Sequence, residues 1–485
     1  MTMMQRSGGN ALRIDGARLW QRHMDMARIG AIPGDGSCRL ALTDEDAQAR
    51  ALFAQWCRGA GMTLRADRAG NMFALRPGRD PSRPAVAAGS HLDTQPHGGR
   101  FDGISGVLAA LEVVEALNDA GVETEAPLLV INWTNEEGVR FAPGLLGSAW
   151  FTGVVSDEAL EAVRAADGAR FADEVRRAGW HGDLTPDALA LDSFFELHIE
   201  QGPILEAADM QIGVVTSVQG LCWLDVSVSG TDAHAGTTPL EARRDALLAA
   251  AAMLVALNDL GRAAGPDARV SVGRLHTATD GPSTIVGQAD FVIDIRHPDA
   301  ATLTRLAQDA AACCRRVAAE RGCAASVGER IAVPPRAFDT GCVAAVDDAA
   351  RDLGYRHMRL ASGALHDAAN IAAVAPSAMI FVPCRDGISH NVAEYAAPEA
   401  LSAGADVLLH AMLARAGVAG AGAGAGAYGA GPQHPSPFPA FPVMAAHLRR
   451  DAPSPGHMHR IGAAAMGPPD KGRPGRGREC SQRKR

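Results

Sequence analysis

Extended and helical patterns alternate along roughly the first two hundred residues, and this alternation confines the chain to few architectures. "LRIDGARLWQRHMDMARIG" and "DEDAQARALFAQWCRGAG" carry apolar residues at three- and four-residue spacing and read as amphipathic helices. "NMFALRP", "RPAVAAGSHLD" and "EAPLLVINWTNEEG" read as strands. Between the last two, "GVLAALEVVEALNDAG" reads as a helix stopped near Gly121. Strands alternating with helices predict an α/β layer structure with its sites at strand ends.

From about residue 213 the texture changes. "IGVVTSVQGLCWLDVSVSG" reads as a pair of strands, and a helix follows in "ARRDALLAAAAMLVALNDLG". The strands "ARVSVGRLHT" and "ADFVIDIRHP" then precede a helix through "ATLTRLAQDAAACCRRVAAERG". Residues 213–330 therefore read as a small α+β unit inserted into an α/β domain formed by 1–212 and 331–415. Residues 416–485 are rich in Ala, Gly and Pro and become basic. Such a composition buries too little apolar surface to offset its ordering entropy, so a disordered tail is expected, with a basic interaction arm as the alternative.

Composition removes several functions. A net charge of −9 does not fit a nucleic-acid binder. No apolar run is expected to approach the roughly twenty residues of a membrane span, and "MTMMQRSGGNALRIDGARLW" lacks an apolar signal core, which predicts a cytoplasmic protein. The nine cysteines include no C-x-x-C pair and read as free thiols. The only lysines are Lys471 and Lys484, so the body holds no P-loop, no Schiff-base lysine and no Ser-Lys or Cys-Glu-Lys amidase centre.

What the body does hold is a set of histidines and carboxylates where strands should end. "GSHLDTQPHGGRFDG" supplies His91, Asp93, His97 and Asp102, and "TNEEGVRF" supplies Glu136 and Glu137. "FFELHIEQGP" supplies His198 and Gln201, and "GISHNVAEY" supplies His390. Any one of these histidines taken singly reads as structural. Together they are the inventory of a two-metal hydrolase, in which one carboxylate bridges two ions and each ion keeps private ligands.

These motifs, in this order, resemble the M20 metallopeptidase superfamily. Within it they resemble the amidohydrolase branch of N-carbamoyl-L-amino-acid hydrolases, β-ureidopropionases and allantoate amidohydrolases. The resemblance covers about residues 15 to 413. Its branch rests on "ELHIEQGP", where peptidase relatives commonly carry a carboxylate at the place of His198, and on "GTDAHAGTTP". It implies a phosphorylase/hydrolase-like catalytic domain with an inserted ferredoxin-like α+β domain that serves as lid and dimer surface.

Carried over by position, the resemblance implies that His91, Asp102 and His198 hold one divalent metal ion and Asp102, Glu137 and His390 a second. Zinc comes first, with manganese, cobalt or nickel as alternatives. Glu136 is implied to be the general base. Asp93 lies two residues after His91, so on a strand it faces the same side and is expected to accept the imidazole N–H of His91, with a turn-forming aspartate before Thr94 as the alternative. Gln201, Ser283 and His366 are implied substrate contacts, His234 an oxyanion stabiliser, and Arg296 the clamp for a substrate carboxylate. His234 and Arg296 are implied to reach the site from the other subunit of a homodimer. The implied reaction hydrolyses a small ureido substrate that carries a carboxylate: an N-carbamoyl-L-amino acid first, with allantoate or N-carbamoyl-β-alanine as alternatives. A dipeptidase and an inactive binding homologue are more distant readings. Two departures bear on the substrate. Ser283 stands where many relatives have asparagine, and Leu365 precedes His366 where they have glycine, which predicts a reshaped loop because leucine avoids positive φ.

Overall fold

The computed structural model describes residues 11–279 and 281–420. The basic tail read from the sequence lies outside the described residues from 421 onward. Ala85–His91 and Leu128–Trp133 are buried at every position. Strands covered on both faces show no polar alternation, as expected for the parallel centre of an α/β sheet. Ala85–His91 pairs in parallel with Leu128–Trp133 on one side and with Leu191–Ile199 on the other, and Ser377–Val382 extends the parallel set beyond Leu191–Ile199. Five more strands complete a nine-stranded mixed sheet: Met72–Arg76 and Thr63–Ala66 join antiparallel at one end and Ile212–Val218 antiparallel at the other, where it also pairs with Arg336–Ala337 and, in parallel, with His357–Ser362. The parallel strands point the same way, so their carboxyl ends share one edge.

A separate four-stranded antiparallel sheet runs in the order Arg269–Thr277, Gln288–His297, Gly220–Ser229, Ala324–Val333. Helices Ala246–Ala263 and Ala300–Glu320 cover one of its faces. The chain is thus an α/β structure with a mixed central sheet and a separate antiparallel one.

Two expectations need correction. "IGVVTSVQGLCWLDVSVSG" does hold two strands, but they do not pair. Ile212–Val218 joins the large sheet and Gly220–Ser229 the small one. Only Gln219 lies between them, and a hairpin needs a loop of at least about two residues. The second concerns apolar length. Helix Ala246–Ala263 is 18 residues with a mean hydropathy of 1.4, long and apolar enough to cross a membrane by length and composition. It lies instead on the small sheet, with Ala249, Ala250, Met253 and Leu257 buried against that sheet's core.

The end of the described chain is tied down. Gly417 O accepts from Glu125 N at 3.0 Å, Ala416 O from Ala126 N at 3.0 Å, and Ala419 N donates to Glu123 O at 2.9 Å. A chain ending at Gly420 is expected to match the full-length protein in melting temperature. One ending at Arg415 loses these bonds, each worth about 1 kcal/mol, and should melt measurably lower.

Candidate metal centre

The edge shared by the parallel strands gathers the polar residues. His91 ends its strand, His198 is next to last in Leu191–Ile199, Glu136 and Glu137 follow Leu128–Trp133, and His390 follows Ser377–Val382. Asp102 sits at their focus, just ahead of helix Ile104–Asp119. Its Oδ1 lies 3.1 Å from His198 Nε2 and 3.8 Å from His91 Nε2. Its Oδ2 lies 3.2 Å from His390 Nε2, which is also 3.6 Å from Glu137 Oε2. Two sets of ligand atoms result, His91–Asp102–His198 and Asp102–Glu137–His390, each within 4.8 Å. Asp102 belongs to both.

The electrostatics fit cations. Burial opposes ionisation of Asp102, but hydrogen bonds with His198 and His390 prevail and hold its carboxyl well below the usual range. Burial lowers His198, yet Asp102 outweighs it and raises the imidazole to about 9. The hydrogen bond with Asp102 likewise raises His390 to about 9, whereas burial pulls His91 down to about 4. Burial, followed by the charge of Asp102, pushes Glu137 up to about 8. Glu136 is driven well above its normal value by burial and then by Glu137, Asp367, Asp102 and Asp93. A pocket of carboxylates that resist ionisation by burial and mutual repulsion is one that divalent positive charge relieves. Imidazole and carboxylate together make a donor set suited to zinc and to manganese, cobalt or nickel.

Glu136 stands beside this set, with Oε2 3.5 Å from His91 Nε2. Asp93 differs from expectation. His91 Nδ1 lies 2.9 Å from the main-chain oxygen of Asp93 and 3.9 Å from its carboxylate. The carboxylate instead accepts the backbone N–H groups of Glu136 and Glu137, both at 3.3 Å. The same-face rule for residues two apart fails here because the strand stops at His91. Asp93 therefore holds the glutamate loop.

Gln201 donates to Asp102 Oδ2 at 2.8 Å. His366 is buried, its ring centroid 4.5 Å from that of His198 and its Nε2 3.0 Å from Ser362 Oγ. Leu365 is not among the positive-φ residues, and its side chain packs against the main core.

His234 and Ser283 come together elsewhere, at a short two-stranded antiparallel ladder where His234 pairs with Thr284 and Ala235 N donates to Ser283 O at 2.8 Å. His234 Nδ1 accepts from Gly236 N and Thr237 N at 3.0 and 3.3 Å. Its proton therefore sits on Nε2, on an exposed ring. Arg296 departs from the implied arrangement. Its Nη1 donates to Gly363 O of the same chain at 2.9 Å, on the loop that carries His366. It reaches that loop because its register partner Leu221 opens the small sheet next to the crossing at Gln219.

Three contributors were not singled out from the sequence. Gln95 donates to Glu137 Oε2 at 2.6 Å. Ser389 Oγ lies 2.9 Å from Asp102 Oδ2 and 3.0 Å from Glu394 Oε2. Buried Glu394 accepts the backbone N–H groups of Phe101 and Asp102 at 2.9 and 3.1 Å. Ser389 and Glu394 stand inside the quoted "GISHNVAEY", next to a candidate ligand. Their partners lie almost three hundred residues away, which no spacing reveals.

Gly103 explains a glycine of the first motif. It takes φ +70°, and a Cβ there would stand 2.2 Å from the His91 ring. Gly103→Ala is expected to displace His91 and lower the metal bound per chain. Elemental analysis after dialysis against a limiting metal buffer checks this, with unchanged metal content as the contrary result.

Comparison with known proteins agrees with this geometry. Residues 87–414 match the peptidase family M20/M25/M40. The chain is 45% identical over 410 residues to an N-carbamoyl-L-amino-acid amidohydrolase of Rhizobium meliloti, covering 84% of this chain and 97% of that protein. It is 32% identical over 412 residues to a ureidoglycolate hydrolase of Arabidopsis thaliana, covering 82% and 86% respectively. A crystal structure of a hydantoinase/carbamoylase-family amidase from Burkholderia multivorans superposes with a TM-score of 0.81 at 47% identity, covering 84% of this chain and 99% of that one. With its ligand sets at the carboxyl edge of the same fold, the chain belongs to the M20/M25/M40 family, as an amidohydrolase of the hydantoinase/carbamoylase branch that acts on C–N bonds.

Proposed function

We propose that the chain hydrolyses N-carbamoyl-L-amino acids, consuming one water and releasing the free amino acid, ammonia and carbon dioxide. The observation that carries the chemistry is Asp102, one carboxylate whose two oxygens face different histidines, with Glu136 beside the pair. The substrate class rests on the Rhizobium meliloti relative.

In this reading His91, Asp102 and His198 hold one divalent ion and Asp102, Glu137 and His390 another. When bound, such ions polarise an amide carbonyl and acidify water. Glu136 accepts a proton from the attacking water and returns it to the leaving nitrogen, a role open to a carboxylate that does not itself hold an ion. Gln95 and Asp93 keep the two glutamates apart in orientation, through the side chain of Glu137 and the backbone of both. Arg296 receives the substrate carboxylate, and the Nε2–H of His234 offers a donor for the oxyanion.

His234 completes the site of a second copy of the chain. In support, helix Ala246–Ala263 leaves Leu248 55% and Val255 65% exposed, beside the outermost strand Arg269–Thr277. The plant relatives favour ureidoglycolate as a second substrate to try.

Glu136→Gln should keep its metal and lose about 10²–10⁴-fold in turnover, measured as ammonia release; near-normal turnover in a metal-replete variant removes the role. A panel of N-carbamoyl-L-amino acids, N-carbamoyl-β-alanine, allantoate and ureidoglycolate should give its highest kcat/KM with the first class. Val255→Arg should convert a dimer to monomers in analytical ultracentrifugation. A parent chain that already sediments as a monomer refutes the dimer.

A further inference from the structure

The strand Gln288–His297 buries Ala289, Phe291, Ile293 and Ile295 and leaves Asp290, Val292, Asp294 and Arg296 on the opposite, half-buried face. Asp294 and Arg296 are two apart on a regular strand, so they share that face. Arg296 Nε donates to Asp294 Oδ1 and Nη2 to Asp294 Oδ2, both at 3.0 Å. Nη1 donates to Gly363 O at 2.9 Å. A guanidinium has five N–H donors, and these bonds take one from each nitrogen. One proton on Nη1 and one on Nη2 remain. The two side chains are 32% and 29% exposed, so a ligand can reach them.

The geometry points to Asp294 as a positioning residue that sets specificity for the substrate carboxylate, an inference that rests on Arg296 being the carboxylate clamp. Asp294 grips one edge of the guanidinium in a two-point bond, and the Gly363 carbonyl holds a third corner. The guanidinium plane is thereby fixed before substrate arrives, and its remaining donors present a planar pair suited to a carboxylate. Asp294 also balances the charge of Arg296. Binding then depends on matching the fork and not on net charge alone, which disfavours anions of other shapes. The fixed plane stands one loop away from the metal ligands. Gly363 lies three residues before His366, whose ring rests against His198.

Kinetics on the metal-loaded enzyme tests this. With an N-carbamoyl-L-amino acid, Asp294→Ala should raise KM about ten-fold or more, the scale of one well-formed charge-assisted contact, while kcat stays within about two-fold. The matching carboxamide, which offers no carboxylate, should be unaffected, assayed as a substrate or, where it is not turned over, as a competitive inhibitor. Asp294→Asn, which keeps one acceptor oxygen, should recover part of the loss. An unchanged KM, or equal losses for the acid and the carboxamide, overturns the proposal. Arg296→Ala separates the two layers. If it does not raise KM for the acid, the carboxylate clamp itself is wrong; if it does while Asp294→Ala does not, only the role of Asp294 falls.

Discussion

One buried carboxylate sets the terms for the rest of the molecule. Asp102 is almost wholly excluded from water, and an isolated anion there is unfavourable by many kcal/mol unless it is paired. His198 approaches one of its oxygens and His390, Gln201 and Ser389 the other. These partners come from the ends of two different parallel strands, while Asp102 itself follows a third. Convergence of that kind needs strands that run in parallel and finish together. The antiparallel additions sit outside this centre, where nothing has to converge.

His91 and His198 stand on strands, but Asp102, Glu137 and His390 sit on the loops beyond them, which the sheet alone does not fix. Two further carboxylates do that work from behind. Asp93 receives the backbone of Glu136 and Glu137, and Glu394 receives the backbone of Phe101 and Asp102. Each ties the loop that carries a ligand to a loop from another strand. The consequence is a crowded acidic pocket. Burial, then neighbouring acids, raises both Asp93 and Glu394 to about 7. The same groups that fix the geometry therefore sharpen the demand for cations. Scaffold and metal preference are one arrangement, and a substitution in either carboxylate acts on both.

What the sequence made legible follows from how local each feature is. His91, Glu137 and His198 stand within a few residues of strand ends, and Asp102 and His390 lie in the quoted motifs that follow strands, so periodicity and motif order brought all of them into view. The helix after Asp102 was equally plain, because its apolar run stops at a glycine with φ +62°. Asp93 misled because strand periodicity was extended one turn too far. The strands Ile212–Val218 and Gly220–Ser229 misled because alternation marks a strand without naming its sheet; the single intervening Gln219 held the answer. Glu394 and Gln95 act through contacts that only the fold creates. Asp294 was within reach, since a charge two residues before Arg296 on an alternating strand must share its face, but only coordinates reveal the two-point bond.

The loop from Ser362 to His366 joins these parts into a constraint on the substrate. At one end the Gly363 carbonyl holds Arg296. At the other, Ser362 Oγ holds His366 against His198. Between them Leu365 packs into the main core, which pins the middle of the loop to the large sheet. If Arg296 receives a carboxylate, the span from that carboxylate to the metal ligands is set by a short, anchored segment and not by the relative freedom of two sheets. A glycine at 365 would leave the segment's backbone freer and its core contact empty. Leucine there gives up that freedom for partial burial, which stiffens the gauge. Substrates are then distinguished by the distance between their carboxylate and their amide, with the loop as the fixed length against which both are measured.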